Sequence, residues 1–84
     1  MKVLFTEKAR KEFLGMERTM QERFKSAILK IKEYPHRKHL KYGLPYYVIK
    51  VTKQARIIYE IEEEVIYILH CFKTHKSYEK WYKE

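Results

Sequence analysis

The chain has 84 residues, 45% hydrophobic and 36% charged, with a formal charge of +8 from 19 Lys and Arg against 11 acids, every one of them Glu. That length allows one small domain and the composition excludes a disordered chain, while a single cysteine, Cys71, excludes an internal disulfide and a multi-cysteine zinc site. The charge predicts a polyanionic partner: nucleic acid, anionic lipid or an acidic protein segment.

Lys2 to Thr6 alternates Val3 and Phe5 against Lys2, Leu4 and Thr6, the period of a short strand. Thr6 then reads as the N-cap of a first helix that carries Glu7 in its first turn and Ala9 and Phe13 on one face, with Gly15 just past its end. Thr19-Met20-Gln21-Glu22 has the spacing of a capping box and predicts the start of a second helix. Met20, Phe24, Ala27, Ile28 and Ile31 form its core stripe, and Pro35 stops it after Tyr34.

From Tyr46 the period changes to two. Tyr46–Val51, Ala55–Ile61 and Val65–Phe72 predict a three-stranded antiparallel meander, and Ser77–Lys83 a terminal helical turn or two with Tyr78, Trp81 and Tyr82. No apolar run of about 18 residues is present and the N-terminal apolar stretch is too short for a secretion signal, so a cytoplasmic protein without membrane contact is expected.

Between Tyr34 and Tyr59 the chain has six Lys or Arg and no acid. A three-residue loop at Thr52–Gln54 pairs Val51 with Ala55 and gathers Tyr47, Ile49, Val51, Ala55, Ile57, Tyr59 and Ile61 on one apolar face. A register shifted by one residue would bury Arg56 and Glu60 instead. Lys50 and Arg56 then share the opposite face, and a second three-residue loop at Glu62–Glu64 places His70 directly across from Arg56. Clustered cations repel and cost stability, which points to an anion site, since an arginine fork matches phosphate oxygens. The alternative is that Arg56 pairs with Glu60 or Glu12 on a merely solvated face. Farther on, His70, Lys73, His75, Lys76 and Tyr78 could donate protons, bind phosphate or stack on a base. Pro35–Tyr42, with Arg37, Lys38 and Lys41, predicts a basic loop on a phosphate backbone, joined by Lys53 and Lys76. His36 and His39 lack a nearby carboxylate and are not expected to hold metal; Cys71 is expected to be buried filler.

Leu40-Lys41-Tyr42-Gly43-Leu44, Tyr47-Val48-Ile49-Lys50-Val51, Arg56-Ile57-Ile58-Tyr59-Glu60-Ile61 and Ile66-Tyr67-Ile68-Leu69-His70, in this order, resemble the RelE and HigB toxins of toxin–antitoxin systems, within the wider RelE/ParE superfamily. The resemblance covers essentially the whole chain, and His70–Lys76 looks more like the HigB branch. It implies an α+β fold with an N-terminal strand, two helices on an antiparallel sheet, a C-terminal three-stranded meander and a short C-terminal helix. It also implies a ribosome-dependent endoribonuclease without cofactor, which cleaves mRNA by 2′-hydroxyl attack on the adjacent phosphate and is neutralised by a cognate antitoxin. In that scheme Arg56 stabilises transition-state charge, Lys50 lies near the scissile phosphate, His70, Lys73 and His75 are acid or base candidates, and Tyr78 stacks on or orients a base. Val48 stands where RelE has a second strand lysine, and the C-terminal arginine of RelE has no clear match. The competing expectations are a ParE-like gyrase inhibitor without nuclease chemistry and an inactive RNA-binding protein of the same fold.

Overall fold

The computed structural model describes residues 1–35, 38–39 and 46–83, with positions 38 and 39 described by their backbone alone. The elements are β1 (Lys2–Phe5), α1 (Glu7–Leu14), α2 (Arg18–Glu33), β2 (Lys38–His39), β3 (Tyr47–Lys50), β4 (Arg56–Glu62), β5 (Val65–Phe72) and α3 (His75–Lys83). The strands form one sheet in the order β1-β5-β4-β3-β2.

Local chemistry sets the helix ends. The Thr6 hydroxyl accepts the Ala9 N–H at 3.1 Å, as an N-cap should. The second helix departs from the capping-box expectation. It begins one residue before Thr19, at Arg18, with Glu17 as an N-cap that makes no side-chain bond. Gln21 donates to the Phe13 carbonyl at 3.0 Å instead, tying the new helix to the end of α1. Thr74 caps α3 by accepting the Ser77 N–H at 3.1 Å.

The helical stripes and one sheet face make a single core of Ala9, Met16, Phe24, Ala27, Ile31, Ala55, Ile57, Tyr59, Ile66, Ile68 and Cys71. Each large apolar side chain buried there contributes about 1.5–3 kcal/mol. The sheet is mixed rather than wholly antiparallel, because β1 lies parallel to β5, Lys2 opposite Val65 through Phe5 opposite Ile68. That position lets Val3 and Phe5 pack against the core.

The β3–β4 register follows the burial argument: Lys50 faces Arg56 and Tyr47 faces Tyr59, and the Val51 N–H donates to Ala55 O at 3.0 Å. The intervening loop has neither Gly nor Asn, and Thr52 compensates. Its hydroxyl accepts from the N–H groups of Gln54 at 3.2 Å and Ala55 at 3.0 Å.

The β4–β5 connection corrects the second expected loop. Glu62 pairs with Val65, leaving a two-residue turn in which Glu63 and Glu64 have φ of 47° and 69°. Two positive φ values suit the twist of a hairpin but strain residues that carry a Cβ. Glu64→Gly is therefore expected to raise the unfolding free energy by about 1 kcal/mol, read as a higher urea midpoint with an unchanged slope.

A second irregularity follows. Tyr59 faces Ile68 but Ile58 faces His70, so Leu69 is an extra residue on β5. Ile66 and Ile68 point into the core before the bulge and Cys71 after it. His70 consequently lies opposite Ile58, not Arg56, and Phe72 is the residue across from Arg56.

Candidate functional site

Strand pairing places Lys50 and Arg56 side by side on the face away from α1 and α2. The Arg56 guanidinium is held by its own loop: Nη1 donates to the carbonyls of Thr52 at 3.2 Å, Lys53 at 3.1 Å and Ala55 at 3.1 Å. Its charged carbon lies 5.6 Å from the centre of the Tyr78 ring, within cation–π range. Neither Glu60 nor Glu12 pairs with it, and among the described residues no carboxylate lies within ion-pair distance of it. The cation is oriented by neutral partners and keeps its charge available to an anion.

The rest of this face is an aromatic platform. Phe72 stacks on His70 at 4.7 Å with 12° between rings. Trp81 tilts against His70 at 5.1 Å and Phe72 at 5.7 Å, and Tyr78 reaches Phe72 at 6.3 Å and Tyr82 at 4.9 Å. The spacing of Tyr78, Trp81 and Tyr82 puts them on one side of α3, from which Tyr78 and Trp81 reach the rings of β5. Burial and Tyr82 push the Tyr78 hydroxyl above its ordinary value, with Arg56 opposing, so this phenol stays a protonated donor at neutral pH.

The residues named from sequence divide by environment. His75 meets Tyr78 edge-on at 5.7 Å, and its Nδ1 lies 3.9 Å from Glu79. Lys50, Lys53, Lys73 and Lys76 are exposed. His70 is the most constrained: its ring packs against both Phe72 and Trp81, and Nδ1 lies 3.3 Å from both Glu12 carboxylate oxygens. Arg37 and Lys41 lie outside the described residues, as do the Leu40–Leu44 motif and most of the Pro35–Tyr42 loop. Of Lys38 and His39, only the backbone pairing with Val48 and Tyr47 is described.

Glu12 is the participant that sequence reasoning did not assign to this arrangement. Beyond Ile68, β1 no longer pairs with β5, and the Glu12 carboxylate takes over, accepting the Cys71 N–H at 2.9 Å. The sequence named Glu12 only as an alternative partner for Arg56, not as the acceptor for Cys71 or the neighbour of His70. Burial, and secondarily Glu12, push the Cys71 thiol from 9.0 to about 12. Cys71 is packing rather than a nucleophile, as its expected role implies. At pH 8 the native thiol is expected to react with iodoacetamide at least about 100-fold more slowly than in the denatured chain. Because the folded value is the higher one, its contribution to stability is complete below pH 9 and fades as the pH rises toward 12.

A small sheet with two helices behind carries, in front, an oriented arginine with no carboxylate partner among the described residues, and the class of protein it matches is the toxins of type II toxin-antitoxin systems. A family model described as ParE toxin of type II toxin-antitoxin system, parDE, matches residues 3–78, and the chain belongs to that family. No curated protein matches it. Among solved structures, the isolated E. coli RelE toxin is similar over 98% of this chain and 95% of its own, at 24% identity and a TM-score of 0.77. The toxin in the intact E. coli RelBE toxin-antitoxin complex covers 87% of this chain and 95% of its own, at 26% identity and a TM-score of 0.75. The YoeB/ParE toxin from Agrobacterium tumefaciens covers 86% and 96%, at 18% identity and a TM-score of 0.75.

Proposed function

We propose that this type II toxin is a ribosome-dependent endoribonuclease that inhibits translation by cleaving mRNA. The observation that carries this reading is Arg56: a guanidinium oriented by three carbonyls, stacked near Tyr78 and beside Lys50, with no carboxylate partner among the described residues. In the proposed reaction the RNA 2′-hydroxyl loses its proton and attacks the neighbouring phosphorus. The P–O bond to the 5′ oxygen breaks, and that oxygen takes up a proton as it leaves. Arg56 stabilises the charge that gathers on the phosphoryl oxygens, and Lys50 adds a mobile point charge.

His75 and Lys73, at the start of α3 and just before it, are the candidates for proton transfer, and protonated Tyr78 stacks on or orients a base. His70, held by Glu12 and two aromatic rings, acts as a positioning residue for Phe72 and Trp81. Lys53 and Lys76, with Arg37, Lys38 and Lys41, supply contacts to the RNA backbone. The cognate partner in this reading is an antitoxin with an acidic segment that covers the basic face; the intact E. coli RelBE complex supplies the analogy. A cytoplasmic location follows from the ribosomal target.

The test is primer extension on mRNA incubated with ribosomes and toxin, where new 5′ ends are expected only when both are present. The second reading is a ParE-like gyrase inhibitor, favoured by the family match over residues 3–78. It predicts DNA-damage signalling on induction and no new RNA ends.

A further inference from the structure

Away from the Arg56 face, a cleft of about 270 Å³ opens between α2 and the end of β3, lined by Arg23, Ser26, Ala27, Lys30, Ile49, Lys50 and Val51. We propose that this cleft is a phosphodiester subsite that holds a flanking phosphate of the RNA strand lying across Arg56. This rests on the reading of the Arg56 face as an RNA site, and extends it to a second binding position.

The geometry of α2 explains how the cleft is built. Phe24, Ala27 and Ile31 are its buried stripe, and Arg23, Ser26 and Lys30, at steps of three and four, lie together on the adjoining shoulder. Ser26 and Ala27 are small, so their side chains leave room between α2 and β3. Neither Arg23 nor Lys30 has an ion-pair partner among the described residues. Lys50 borders the cleft at the end of β3, so Arg23, Lys30 and the Ser26 hydroxyl share a lining that contains no acid. Folding alone does not favour such a cluster, since like charges repel. The cleft is large enough for a hydrated phosphate and smaller than most ligand pockets.

Lys50 is the link between the two positions. It is the cross-strand neighbour of Arg56 and also lines the cleft. Positive charge therefore runs from the outer sheet face, around the end of β3, to the shoulder of α2. A polymer with regularly spaced phosphates fits such a track better than a single compact anion.

The test uses the double variant Arg23→Ala/Lys30→Ala and a short 2′-O-methyl oligouridine, which cannot be cleaved because it has no free 2′-hydroxyl. The variant is expected to bind about 10-fold more weakly at 0.1 M salt, with the slope of log affinity against log salt reduced by about 1.4. Inorganic phosphate is expected to shift the amide NMR signals of Ser26, Ala27 and Val51 in the wild type and in Arg56→Ala, but not in the double variant. Equal affinity and slope in wild type and double variant would overturn the proposal. So would a double variant that loses affinity for poly-glutamate while keeping that for RNA, which would mark a protein-docking cleft. If Arg56→Ala still blocks translation while the double variant loses oligonucleotide and phosphate binding, the catalytic reading fails and the cleft stands.

Discussion

Arg56→Ala is expected to lower ribosome-dependent mRNA cleavage by about 10²–10³-fold, the usual effect of removing a donor aimed at developing negative charge. The readout is the yield of new 5′ ends in primer extension, with circular dichroism and thermal melting to check the fold. Arg56 is half-buried on the outer face, so its removal opens no hole in the helix-side core. The cost is confined to the bonds with Thr52, Lys53 and Ala55, whose carbonyls can turn to water, and is about 1 kcal/mol. Activity and stability should therefore separate. Arg56→Lys should restore little, because an ammonium turned to the loop carbonyls has no second nitrogen left to present to a phosphate and no flat face to set against Tyr78. Undiminished cleavage by Arg56→Ala would remove the residue from the mechanism.

The second large effect is expected from Glu12→Ala, on stability first and on activity through it. Its carboxylate accepts the Cys71 N–H and lies against His70, and the alanine variant leaves the backbone donor without its anionic acceptor. A lost charge-assisted bond of this kind costs about 2–3 kcal/mol, and in a domain of this size that lowers the melting temperature by about 10–20 °C. Glu12→Gln tests the assignment, since its amide oxygen can still accept from Cys71 while the charge is gone. It should recover a large part of the stability. If alanine and glutamine melt together at the wild-type temperature, the Glu12 bond to Cys71 does not hold the strand end in place.

The parts of the fold legible in the sequence were those that burial alone decides. The α2 stripe and the β3–β4 register each had one arrangement that hid apolar side chains, and a slip would have placed Arg56 in the core; Lys50 and Arg56 were found as neighbours for that reason. The β4–β5 register was different. Ile66 and Ile68 alternate with Val65, Tyr67 and Leu69, which are equally apolar, so patterning could not choose a face. The positive φ values at Glu63 and Glu64 carry no compositional signal either, since glutamate is an unfavourable residue there. His70 was thus placed on the correct face but against the wrong strand neighbour. The role of Glu12 was hidden for another reason: its contact with Cys71 joins residues far apart in the chain and depends on where β1 stops.

The extra residue at Leu69 divides β5 into two territories. In a strand, inside and outside alternate with period two, so inserting one residue exchanges them from that point onward. Before Leu69, the even-numbered side chains Ile66 and Ile68 serve packing; after it, the even-numbered His70 and Phe72 stand on the functional face and only odd-numbered Cys71 is left to the core. The two sets of demands no longer share a residue. The end of the strand can accept new aromatic or titrating groups opposite Arg56 while the hydrophobic alternation that holds β1, β4 and the helices together is left untouched.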